Sequence, residues 1–110
     1  MNFIMDLDGT ICETTSGGNA YFTAHPKQDV INRMRALKSE GHSITIYTAR
    51  GMNLFSNNVQ RIEREYRQRT EWWLRDWQVP YDQLLFGKPA GDIYVDDKGM
   101  TPNEFATHNF

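Results

Sequence analysis

Residues 3–10 read Phe3-Ile4-Met5-Asp6-Leu7-Asp8-Gly9-Thr10, and this stretch decides the fold. Its apolar opening has the length of a buried strand rather than a helix. Asp8-Gly9-Thr10 then supplies the chemistry of a turn. Residues 12–25, rich in Thr, Ser and Gly, read as a loop. From Pro26 to Glu40 the pattern becomes helical, with Val30, Met34 and Leu37 on one face. Pro26 suits a first helical turn, and Gly41 suits a left-handed residue just past the last one.

Strand and helix continue to alternate. Ser43-Ile44-Thr45-Ile46-Tyr47-Thr48 is β-branched and reads as a second strand. After a turn at Ala49-Arg50-Gly51, a long helix is expected from Asn57 to Trp77, with Val59, Ile62, Tyr66, Trp73 and Trp77 facing the core and Pro80 beyond its end. Leu84-Leu85-Phe86 reads as a third strand and Asp92-Ile93-Tyr94-Val95 as a fourth, ending at Asp96-Asp97. Thr101-Pro102 is suited to cap a last helical turn. Such alternation marks an α/β fold on a parallel sheet, here as one domain over residues 1–110.

Composition narrows the class. The 110 residues are 39% hydrophobic and 24% charged, which suits a globular domain. A formal net charge of −2 argues against a general nucleic-acid binder. Cys12 is the single cysteine, so no internal disulfide forms and a reduced, structural thiol is expected. No stretch is long and apolar enough for a secretory segment or a bilayer span, so the cytoplasm is the expected compartment and no membrane partner is expected.

Three strands end in polar clusters. In parallel sheets, ligands gather at the carboxyl ends of the strands. Asp6, Asp8, Thr48, Asp96 and Asp97 are therefore expected on one edge, with Lys88 reaching it from the loop before strand four. Side chains at i and i+2 share a side of an extended chain, so Asp6 and Asp8 can address one phosphorus atom. One carboxylate can attack while the other gives a proton to the leaving oxygen. Two anions beside a phosphate repel, and Mg²⁺ relieves that; Asp6, Asp96 and the backbone carbonyl of Asp8 are oxygen ligands it prefers. Lys88 adds positive charge and Thr48 a hydroxyl donor.

These residues resemble the haloacid dehalogenase-like hydrolase superfamily. Ile4-Met5-Asp6-Leu7-Asp8-Gly9-Thr10 is similar to its first motif, Ile44-Thr45-Ile46-Tyr47-Thr48 to the second, Lys88 in Gly87-Lys88-Pro89 to the third, and Ile93-Tyr94-Val95-Asp96-Asp97 to the fourth. The resemblance runs from residue 3 to 98. It implies a Rossmann-like three-layer α/β sandwich whose short parallel sheet has strand order 4-1-2-3. It also implies a Mg²⁺-dependent phosphatase with Asp6 as nucleophile and Asp8 as general acid and then base. Thr48 and Lys88 would hold the phosphoryl group, and Asp6, Asp8 and Asp96 would bind the metal. Asp97 would orient a metal-bound water or Lys88. The intervals between these motifs leave no room for a cap domain, which leaves the site open unless a second subunit covers it.

Other residues receive plainer readings. Arg50 is placed either against substrate or in a surface ion pair. Arg61, Arg64, Arg67, Arg69 and Arg75 alternate with Glu63, Glu65, Glu71 and Asp76, the pattern of a solvated, salt-bridged helix face. His25 is a loop residue without a role, Asp92 is structural, and the tryptophans are packing residues. The expected substrate is a small phosphorylated metabolite such as a sugar phosphate, and a homo-oligomer is expected. The alternatives are a nucleic-acid 3′-phosphate end or a phosphoprotein. A non-enzymatic phosphoacceptor switch fits less well, because there the acidic pair opens the chain and the phosphorylated Asp comes later.

Overall fold

Alternation of side chains along β2 (Ser43–Thr48) sets the layers: Ile44, Ile46 and Thr48 are buried, whereas Thr45 and Tyr47 are half-buried. The computed structural model describes residues 1–110. β1 (Asn2–Met5) pairs in parallel with β2, and β2 with β3 (Gln83–Phe86), in the order β1-β2-β3. Register places Phe3 beside Ile44, Met5 beside Ile46, and Thr48 beside Phe86. That face of the sheet forms one core with Val30, Ile31, Met34 and Leu37 of α1 (Gln28–Ser39) and Ile62, Tyr66, Trp73 and Leu74 of α2 (Val59–Asp76).

Both crossover helices lie on this one face, and topology requires it. Parallel crossovers are right-handed, so a sheet that grows in one direction, β1 to β2 to β3, turns each helix onto the same side. The three-layer sandwich is therefore corrected to two layers. On the outer face Ile4 is 65% exposed and Leu85 is also exposed. α3 (Pro102–Thr107) packs on α1, and its buried Phe105 meets the Phe3 ring edge-on at 5.9 Å. The cap foreseen at Thr101 is a full capping box with Glu104. Gly41, at φ +89, ends α1 in the left-handed region as expected.

The fourth strand does not form, which also corrects the order 4-1-2-3. Ile93 and Val95 stand 81% and 95% exposed. Their β-branched pattern is outweighed by local bonds from the residue between them. The Tyr94 hydroxyl donates to the Pro89 carbonyl at 2.6 Å and accepts from the Gly91 N–H at 3.0 Å, folding the segment onto itself. The outer edge of β1 is left unpaired along a groove of about 1150 Å³, bordered by Ile4, Asp6, Tyr94, Asp96 and Phe110. Two expected core residues, Val59 and Trp77, lie at the ends of α2 and are exposed, while Thr70 is fully buried in the middle. No helix is long and apolar enough to cross a membrane.

A sheet with one covered face predicts an asymmetric response to truncation. Ile46→Ala should lower stability by roughly 2–5 kcal/mol, and Ile4→Ala in metal-free protein by about 0.5 kcal/mol or less. Urea denaturation measures both, and equal losses would contradict the two-layer arrangement.

Candidate active site

Parallel pairing brings the ends of β1 and β2 to one edge, since Met5 lies beside Ile46. Asp6 follows β1 directly and is half-buried. The chain then turns tightly: the buried Leu7 carbonyl accepts from the N–H groups of Thr10, Ile11 and Cys12 at 2.9–3.2 Å. Gly9 makes this turn at φ +85, where a Cβ would come within 3.0 Å of the Thr14 hydroxyl oxygen. The turn presents Asp8 on the same side as Asp6, and both line a cavity of about 370 Å³ with Thr48, Tyr21, Asn53 and Tyr94.

Arg50 is where the structure departs furthest from expectation. It borders the same small cavity, but its ion pair is not a surface one: the residue is 1% exposed. Its Nε donates to Asp8 Oδ2 at 2.9 Å and to Oδ1 at 3.2 Å, and Nη2 donates to Oδ1 at 3.0 Å. Nη1 donates to the Thr70 hydroxyl of α2, and Nη2 also to the Tyr21 carbonyl, both at 3.3 Å. The guanidinium lies 4.7 Å from the centre of the Tyr21 ring. A buried charge needs such complete pairing.

Thr48 sits at the end of β2, nine-tenths or more buried, and its hydroxyl oxygen accepts from the Arg50 N–H at 3.1 Å. Its O–H hydrogen stays free to be donated. The Thr48 carbonyl accepts from the Lys88 N–H at 3.2 Å, which ties the start of the Lys88 loop to β2. Lys88 Nζ is 3.4 Å from Asp6 Oδ1 and 4.3 Å from the centre of the Tyr94 ring. Asp6, Asp8, Thr48 and Lys88 thus converge as the sequence foresaw.

The remaining acidic residues do not join them. Asp96 borders the β1 groove with Asp6, but its Oδ1 accepts from the Lys98 N–H at 2.7 Å, and Asp97 is exposed. No group of three or more His, Cys, Asp or Glu side chains is gathered. Asp6 and Asp96 are hard oxygen donors suited to Mg²⁺, yet the set Asp6, Asp8 and Asp96 is not assembled in this conformation. The cause is the unpaired segment that carries Asp96.

Tyr21, Asn53, Thr70 and Tyr94 were not singled out from sequence. Tyr21, Asn53 and Thr70 are common residue types in loops or on a helix face, with nothing in their spacing that points to the site, and Tyr94 reads only as a residue of the expected fourth strand. His25 is exposed, as expected of a loop residue. Cys12 is buried and its thiol donates weakly to Asp8 Oδ1 at 3.5 Å; burial and then the Asp8 charge push its pKa up to about 12. Burial and the same charge also raise the Tyr21 hydroxyl. On α2, Arg67 pairs with Glu63 and with Glu71, as expected of a salt-bridged face. Arg61 and Arg69 instead lie over the Phe55 and Phe22 rings, at 4.6 and 3.9 Å from their centres.

The chain is similar to a structural-genomics target protein from Vibrio cholerae, known from a crystal structure. Identity is 37%, the match covers 98% of this chain and 89% of that one, and the TM-score is 0.92. Its fold is also similar to a chain of the Pnkp1/Rnl/Hen1 complex, at 24% identity and a TM-score of 0.60. A chain of the Pnkp1/Rnl/Hen1 RNA repair complex matches at 21% identity and a TM-score of 0.58. These two matches cover 96% of this chain but only 33% and 29% of the others, and at that identity they establish likeness of fold. No family model and no curated protein matches.

A thiol whose pKa is pushed up to about 12 is almost wholly protonated at pH 8, and the thiolate is the reactive form. Ellman's reagent should therefore leave Cys12 unmodified in the folded protein at pH 8 and label it fully in urea. Rapid stoichiometric labelling without denaturant would contradict its burial beside Asp8.

Proposed function

We propose that this chain, which belongs to the same family as the Vibrio cholerae protein, is a phosphomonoester hydrolase of the haloacid dehalogenase-like type that works through an aspartyl-phosphate on Asp6. The observation that carries this reading is the cluster itself. Lys88 Nζ stands 3.4 Å from Asp6 Oδ1, beside a cavity that Asp6 shares with Asp8 and Thr48.

In this reading an Asp6 carboxylate oxygen attacks phosphorus as the ester P–O bond breaks. Asp8 gives its proton to the departing oxygen. Asp8 then takes a proton from water, which attacks phosphorus and breaks the bond to Asp6, so phosphate leaves and both carboxyls return to their starting states. Lys88 and the Thr48 hydroxyl bind the phosphoryl oxygens, where charge must be offset throughout. The proposed cofactor is Mg²⁺, held by Asp6, the Asp8 carbonyl and Asp96, which would offset the repulsion between carboxylates and phosphate. Asp96 must first approach Asp6, so no step above is assigned to the metal.

A cavity of about 370 Å³ is near the lower end of small-ligand sites, which supports a small phosphorylated metabolite such as a sugar phosphate. A nucleic-acid 3′-phosphate end is the second reading. It is favoured by the fold shared with chains of an RNA repair complex, and by Arg61 and Arg69, whose guanidinium groups form no ion pair with a carboxylate. A homo-oligomer is proposed as well, supported by the exposed Leu54 and Trp72 and the uncovered outer face of the sheet.

Purified protein should hydrolyse members of a phosphate-ester panel, and Asp6→Asn should fall below about a hundredth of the wild-type rate while keeping its fold. A folded variant with higher activity would exclude the covalent route. Activity should vanish on chelation and return with Mg²⁺ but not Ca²⁺, whose longer bonds and higher coordination could occupy both Asp6 oxygens. Mg²⁺ should also raise the melting temperature of wild type but not of Asp96→Asn. Full activity after exhaustive chelation would exclude the metal.

A further inference from the structure

We infer that Arg50 is a positioning residue for proton transfer: it fixes the Asp8 carboxyl so that Oδ2 is the oxygen that serves the leaving group. The inference rests on the phosphomonoester reading and adds to it a residue that acts through Asp8.

The two Asp8 oxygens differ in their partners. Oδ1 receives Nε at 3.2 Å, Nη2 at 3.0 Å and the Cys12 thiol at 3.5 Å, whereas Oδ2 receives Nε alone at 2.9 Å. Oδ1 is crowded by donors, and Oδ2 keeps a lone pair for a proton. The guanidinium that enforces this difference cannot turn. Thr70 and the Tyr21 carbonyl hold its far side, the Tyr21 and Phe22 rings lie at 4.7 and 5.7 Å, and the residue is 1% exposed. A fork bound across a carboxyl fixes its plane as well as its position.

Chemistry gives the arrangement a purpose. When Asp8 gives up its proton, the P–O bond breaks, its electron pair stays on the leaving oxygen, and a carboxylate is left behind. Arg50 already faces that carboxylate, so no reorganisation is needed as the charge develops. Lysine would keep the charge but lose the fork.

Leaving-group dependence separates this role from a merely structural one. A p-nitrophenolate departs without a proton, whereas an alkoxide needs one. The ratio kcat/KM covers steps only through departure of that group, so breakdown of the aspartyl-phosphate does not enter. Arg50→Lys should lower kcat/KM for the best alkyl phosphate of the panel by roughly 10²-fold, the scale of a general acid, and for p-nitrophenyl phosphate far less. Asp8→Asn should reproduce the same selectivity. If Arg50→Lys does not fold, judged by circular dichroism, Thr70→Val keeps the volume while freeing Nη1, and should give a smaller loss with the same bias. Equal losses on both esters would overturn the inference, as would a wild type that cleaves only the aryl ester. A wild type that cleaves neither ester would instead overturn the phosphomonoester reading, and the inference with it.

Discussion

A guanidinium with almost no contact with water has to be paired, and the pairing of Arg50 organises the molecule around the site. It draws together the turn after β1 through Asp8, the 3-10 turn at Gly18–Thr23 through the Tyr21 carbonyl, and the middle of α2 through Thr70. Its own backbone N–H fixes the Thr48 hydroxyl at the end of β2. Breaking such a buried pair from one side costs about 3–5 kcal/mol, because the other charge is stranded. The polar centre is thus a constraint on the fold as well as the candidate site.

The rest of the architecture leaves that centre at a rim. Both crossover helices are committed to one face, so the carboxyl ends of β1 and β2 open beside the free edge of the sheet. Asp6 and Tyr94 belong to both the small cavity and the long groove beside β1. Tyr94 also stacks on Lys88, which stands against Asp6. The segment that bears Asp96 is therefore linked to Asp6 through one aromatic side chain and Lys88 rather than through a strand.

Much of this was legible in the sequence for local reasons. β2 matches its expected limits, and the end of α1 at Gly41 and the cap at Thr101 follow from chemistry confined to a few neighbouring residues. Asp6, Asp8, Thr48 and Lys88 were legible because strand ends in a parallel sheet share an edge. Arg50 was not, since an isolated arginine after a strand gives no sign that Asp8, Thr70 and Tyr21 will enclose it. The fourth strand was misread because Ile93-Tyr94-Val95 has a strand's pattern in any context. Its fate turned on the Tyr94 hydroxyl reaching Pro89 and Gly91, bonds that no alternation of polarity reveals. Trp77 reads as a core residue by period, but it lies at the end of α2 and is exposed.

The central claim is that Asp6 carries the phosphoryl group. Rapid quenching during turnover of p-nitrophenyl phosphate, followed by borohydride reduction and peptide mass spectrometry, tests it directly. An acyl phosphate at Asp6 is reduced to homoserine, so the account predicts a mass loss confined to position 6 and absent without substrate. Turnover with no reduction at position 6, or with reduction at Asp8 or Asp96 instead, would contradict it.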